Sequence, residues 1–208
     1  MADRQRSTRA EPPKVNLHMS LPKLLYATRW INLLEKDGWV YASRRRPDDP
    51  KRTDAVTIVA FHSKAPGEPL HRFVVIEEFR VPIGQWEFGL PAGLLDAGET
   101  IAQCGTRELK EETGLDVTQV HYCSGATYSS AGLADETQAF VFLNCRGVPA
   151  LKPGIDGERI RVHLLTQQGC LDLLDKNQRG DAAISARLWP ILMSVAHGGS
   201  FAGVRVAP

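Results

Sequence analysis

The sequence predicts an α+β fold in which a sheet is layered with helices. Three observations carry this. Apolar runs of strand length, rich in Val and Ile, fill the first and middle parts of the chain. A single helical segment with its own start and stop residues interrupts them. Further helical segments come only at the end, so strands and helices do not alternate as they would in a βαβ array.

In chain order, residues 1–20 are polar and charged and carry Pro12-Pro13, the composition of a mobile tail. Order is expected from Leu21. Tyr26–Leu34 and Gly38–Ser43 read as strands joined by a turn at Lys36-Asp37-Gly38. Arg44–Arg52 gathers Arg44, Arg45, Arg46, Lys51 and Arg52 around Pro47 and Pro50 and reads as a solvated loop. Ala55–Phe61 and Phe73–Phe79 read as buried strands, with a turn at Gly67-Glu68-Pro69 between them. Trp86–Leu90 is a shorter strand.

Thr100–Thr113 is helical. Thr100 and Gln103 form a capping-box pair, Gly114 suits a left-handed stop, and Ile101, Gly105 and Leu109 make a narrow buried stripe. A mid-helix glycine costs about 1 kcal/mol against alanine, so Gly105 implies another backbone packed closely there. Val117–Ala126, Gln138–Cys145 and Ile160–Leu165 read as strands. Gln167–Asp175 and Asp181–His197 read as helices, the second amphipathic.

The 208 residues suffice for one good-sized domain, and the net charge of +1 gives no overall field for nucleic acid or an anionic membrane. No run reaches the length of apolar residues that a membrane span requires, and the N-terminus lacks an apolar signal core. Cys104, Cys123, Cys145 and Cys170 form no CxxC pair and no zinc spacing. Reduced, buried thiols are expected, and with them a cytosolic protein. The six histidines show no ligand spacing.

The chemistry concentrates in residues 93–115. Glu108 and Glu112 are one helical turn apart, Glu111 adjoins both, and Glu99 lies just before the helix. Such carboxylates repel one another unless cations neutralise them, and Arg107 supplies only one positive charge. Hard oxygen ligands in this density suit Mg²⁺ or Mn²⁺, and a divalent cation suits phosphoryl chemistry. A solvated acidic helix face would have the same composition.

The order of the residues separates the two readings. Gly93, Glu99, Arg107, Glu108, Leu109, Glu111, Glu112, Gly114 and Leu115 fill every position of the pattern G-x5-E-x7-R-E-U-x-E-E-x-G-U, where U is a bulky aliphatic. A chance match is on the order of one in a billion per start site. The chain therefore resembles a Nudix hydrolase. The resemblance implies an α/β/α sandwich with a mixed sheet and Mg²⁺, with Mn²⁺ as an alternative. It implies Glu108 and Glu112 as principal metal ligands, supported by Glu99, Glu111 and the carbonyl of Ala92. Arg107 would orient the glutamates.

The flanks extend the likeness. Phe79-Arg80-Val81-Pro82, then Trp86-Glu87-Phe88-Gly89-Leu90-Pro91-Ala92-Gly93, look like the ADP-ribose and ADP-sugar pyrophosphatase branch. That resemblance implies Arg80 on the diphosphate and an extra N-terminal antiparallel sheet reaching a second subunit. Trp30 and Trp39 would stack on the base, with Arg44 contacting substrate. It implies a late-loop acid as base, first Glu158 and second Asp156. The organisation would be a tail over 1–20, a dimerising β extension over 21–52 and a hydrolase domain over 53–208. The expected activity cuts ADP-ribose or a related ADP-sugar into AMP and a sugar phosphate, in a homodimer that binds neither nucleic acid nor membrane. Two positions depart from the branch pattern: Ala131 replaces a loop proline, and Val40 replaces a glutamate after the stacking tryptophan. They leave open a GDP-sugar, a dinucleotide cofactor or an oxidised triphosphate. A non-catalytic ligand sensor is the remaining alternative, and the complete box argues against it.

Overall fold

The computed structural model describes residues 21–47, 53–64, 72–150, 160–201 and 204–205. The chain divides into two compact units, residues 1–49 and 50–208.

In the first unit, β1 (Lys23–Ala27), β2 (Asn32–Lys36) and β3 (Trp39–Ser43) form a three-stranded antiparallel sheet. The single strand expected over Tyr26–Leu34 is thus two. Thr28 breaks it: its Oγ1 accepts the N–H groups of Trp30 and Ile31 and donates to the Ile31 carbonyl, closing a local turn. The turn at Asp37-Gly38 is as expected, with both residues at positive φ. Arg45, expected in a solvated loop, is buried, and its carbonyl accepts the Asn32 amide.

In the second unit a mixed nine-stranded sheet carries the fold. β4 (Ala55–Ser63) and β5 (Arg72–Arg80) form its centre, both longer than the sequence suggested. β6 (Gln85–Gly89) pairs antiparallel with β5 after a turn at Val81–Ile83, where Pro82 pre-sets φ and Gly84 closes in the left-handed region at φ 66°. β7 (Ala92–Leu94) follows, then α1 (Ile101–Thr113) and β8 (Asp116–Cys123). β9 (Thr127–Tyr128) precedes β10 (Thr137–Arg146), which lies parallel to β4 and antiparallel to β8. β11 (Ile160–Leu165) is antiparallel to β5. α2 (Gln167–Arg179), β12 (Ala183–Ile184) and α3 (Leu188–Ala196) complete the layers, with β13 (Ser200–Phe201) paired to β14 (Val204–Arg205). The helix expected over Asp181–His197 is shortened because Ala183 and Ile184 pair in parallel with β6 before α3 begins.

Strand alternation sends two apolar sets to opposite faces of the sheet. Val56, Ile58, Ala60, Val141 and Leu143 pack with Cys104 and Leu109 of α1. Val59, Phe61, Phe73 and Val75 pack with Cys170 and Leu173 of α2 and with Leu188 and Leu192 of α3. The result is a sandwich of helix, sheet and helices. Among the described residues no helix is long and apolar enough to cross a membrane. The turn expected at Gly67-Glu68-Pro69 lies outside the described residues.

Candidate active site

α1 begins where the capping box places it. Thr100 Oγ1 accepts the Gln103 N–H at 3.3 Å, and Gln103 Oε1 accepts the Thr100 N–H at 2.9 Å. Gly114 ends the helix at φ 74°. Gly105 is explained by packing, though against a side chain rather than the backbone expected. A Cβ there would lie 2.5 Å from Val141 Cγ1, so the glycine lets α1 sit close on β10.

This seating brings the glutamates of α1 onto β7. A Cβ at Gly93 would lie 1.9 Å from the Glu108 carboxyl carbon, so only glycine leaves room for that carboxylate. Glu112 Oε2 accepts the Ala92 N–H at 3.1 Å. Glu108 and Glu112 therefore both approach the same short strand.

Arg107 gathers the rest. Its Nε and Nη2 donate to Glu99 at 3.0 and 2.9 Å, and its Nη1 donates to Glu108 at 2.6 Å and to Glu111 at 3.3 Å. Nη2 also donates to the Leu94 carbonyl at 3.1 Å, where it meets the Cys104 thiol, which donates to the same oxygen at 3.4 Å. Hydrogen bonds from Arg107 hold the Glu99 carboxyl below the usual carboxylate range. Burial pushes Glu108 up despite Arg107, and Glu111 and Glu99 add repulsion. Its hydrogen bonds to Glu99 and, next, to Glu108 push the Arg107 pKa further up. Three carboxylates bonded to one guanidinium are two formal charges in excess, and their donors are hard oxygens. That chemistry fits a divalent cation. The carboxylates turn toward Arg107, and among the described residues no three acidic, His or Cys side chains converge as a metal centre.

On β5, Glu78 takes both ends of the Arg80 fork at 2.9 Å, and Glu87 of β6 stands 3.5 Å from its Nε. Glu78 is the partner because residues two apart on a strand share a face. Glu77 points to the opposite face, where Arg161 and His163 meet it. Glu87 was not foreseen as a partner of Arg80, because only the β5–β6 register brings it there.

Trp30, Trp39 and Arg44 belong to the other unit. Both tryptophans are more than half exposed, and the Arg29 guanidinium lies 4.6 Å over the Trp30 ring. Glu158 and Asp156 lie outside the described residues. All four cysteines are free thiols.

A sequence model of the NUDIX domain matches residues 51–187. The chain belongs to the Nudix family. It is 32% identical to the ADP-sugar pyrophosphatase of Mus musculus over 133 residues, covering 60% of this chain and 58% of that protein. It is 30% identical to the ADP-ribose pyrophosphatase of Bacillus subtilis over 112 residues, covering 53% and 60%. The chain thus spans about half to three-fifths of the length of the curated relatives it matches. A crystal structure of an ADP compounds hydrolase superposes with a TM-score of 0.52 at 22% identity, covering 75% of this chain and 84% of the other, a likeness of fold.

Proposed function

We propose that this Nudix protein is a divalent-metal-dependent pyrophosphohydrolase that cleaves ADP-ribose or a related ADP-sugar into AMP and a sugar phosphate. The observation that carries the reading is the seating of Glu108 and Glu112 on β7 beside the Arg107 cluster. The names of the two relatives support the substrate class.

In this reading Glu108 and Glu112 hold Mg²⁺ or Mn²⁺, with Glu99, Glu111 and the Ala92 carbonyl in support. Held there, the cation supplies charge neutralisation for the diphosphate and polarisation of the attacking water. Arg107 fixes the directions of the glutamates through its contacts with three of them. Arg80 grips the diphosphate and stabilises charge that develops as the anhydride bond breaks. Glu158, or Asp156 in second place, removes the proton from water. Trp30 and Trp39 offer flat apolar faces to the base, and Arg44 meets the substrate. The first unit joins two copies into a cytosolic homodimer; the exposure of Tyr26, Trp30, Trp39 and Val40 supports this.

The test is product release with Mg²⁺ from ADP-ribose, ADP-glucose, GDP-mannose, NADH, a diadenosine polyphosphate and an oxidised purine triphosphate. AMP released mainly from the first two is the expected result. Turnover confined to the others would keep the hydrolase and reject the substrate class, and would assign Val40 and Ala131 to a different pocket.

A further inference from the structure

The guanidinium of Arg80 is already well held. Glu78, two residues earlier on the same face of β5, grips both of its terminal nitrogens at 2.9 Å. A bidentate pair of that kind is sufficient to orient an arginine. Glu87 stands directly across from Glu78 in the β5–β6 register, with its Oε2 3.5 Å from Arg80 Nε. Two carboxylates placed opposite each other on neighbouring strands repel, and a separation of 3.5 Å makes a weak hydrogen bond. Glu87 thus contributes little to holding Arg80. What it does place there is a fixed negative charge beside the cation, with its side chain 24% exposed.

The location gives that charge a consequence. Alternation along β5 puts Glu78 and Arg80 on the face of Val74, which packs in the same core as α1. Glu87, paired with Glu78, shares that face. β4 pairs with β5 only at Phe61 and His62, and at its other end pairs with β7, the strand that seats Glu108 and Glu112. The end of β5 that carries Arg80 and the strand under the box glutamates therefore lie toward one end of the sheet.

We infer that Glu87 limits the charge of the phosphoanhydride this site accepts. It leaves Arg80 enough attraction for a diphosphate esterified at both ends, and it disfavours a nucleotide with a free terminal phosphate, which brings further negative charge to the same place. The inference rests on the proposed role of Arg80 at the diphosphate. A carboxylate at this range, partly screened, is expected to cost about five-fold in affinity for each extra substrate charge.

The experiment measures Kd for ADP-ribose, ADP and ATP in EDTA by calorimetry, and kcat/KM for the same nucleotides with Mg²⁺, on the full chain and on Glu87→Gln and Glu87→Asp. Glu87→Gln is expected to improve ATP relative to ADP-ribose by about 25-fold in Kd, in line with about five-fold for each of two extra charges. Glu87→Asp keeps the charge and is expected to keep the wild-type ratio. An unchanged ratio in Glu87→Gln, or equal weakening of all three nucleotides, overturns the inference. Should Glu87→Gln not fold, added salt decides: the wild-type preference must narrow between 50 and about 500 mM salt, and a constant preference overturns it. A protein that binds these nucleotides with the expected ratios yet hydrolyses none would instead sink the hydrolase reading.

Discussion

Replacing Gly93 with alanine should disable the site while leaving the fold. The added Cβ would lie 1.9 Å from both Cδ and Oε1 of Glu108 and 2.4 Å from Oε2. Real Cβ contacts are essentially never under 3.0 Å, so the carboxylate must retreat by more than about 1 Å. It is not free to do so cheaply, because Arg107 holds Oε1 at 2.6 Å and burial surrounds the group. The backbone at Gly93 is not in the left-handed region, so the effect is one of space and not of dihedral strain. A displacement near 1 Å in a reacting assembly costs on the order of 100-fold in rate, and overpacking costs about 1–3 kcal/mol of stability. The assay is AMP release from ADP-ribose with Mg²⁺, alongside a thermal melt. The double variant Gly93→Ala/Glu108→Asp, one methylene shorter, should recover part of the Mn²⁺ affinity lost in Gly93→Ala. Turnover of Gly93→Ala within two-fold of wild type would refute the placement of Glu108.

Other consequences follow from the same geometry. Gly105→Ala gains roughly 1 kcal/mol of helix propensity, but its Cβ meets Val141 at 2.5 Å, so a net loss of stability is expected. Adding Val141→Ala should relieve that steric part, and a melt that rises in the single variant would contradict the packing. Trp39→Ala should raise KM for ADP-ribose more than it lowers kcat; an unchanged KM would return Trp39 to a structural role. Burial pushes the thiols of Cys104, Cys145 and Cys170 up to about 12. Their folded pKa values lie above the unfolded value, so the associated stability is intact below about pH 8.5 and is lost as pH rises toward 12, by about 2 kcal/mol per thiol near pH 10. A thiol reagent should label at most Cys123 in the folded protein and all four cysteines in denaturant. Rapid labelling of a second thiol before unfolding would contradict the burial.

Much of this was legible in the sequence because it is local. The capping box at Thr100 and Gln103 and the stop at Gly114 define α1 to the residue, since both act within a turn of the helix end. β4, β5 and β10 announce themselves through runs of Val, Ile and Phe. β7 does not: Ala92, Gly93 and Leu94 have little strand character, and they extend because β4 pairs with them. The division between β1 and β2 was hidden because strand-forming residues lie on both sides of it, Tyr26 before and Trp30 and Ile31 after, while a single hydroxyl turns the chain. At the site, the spacing of glutamates revealed the acidic cluster. The need for glycine at 93 was geometric, fixed by how α1 sits on the sheet, and the approach of Glu87 to Arg80 depends on strand register.

The most direct test of the central claim is AMP release from ADP-ribose by the wild-type protein in EDTA and after Mg²⁺ is restored, beside Glu112→Gln. Turnover that vanishes in EDTA and returns with Mg²⁺, together with a folded Glu112→Gln that has lost most of kcat, is the predicted outcome. Full turnover in EDTA, or a Glu112→Gln variant with near-normal kcat, would contradict it.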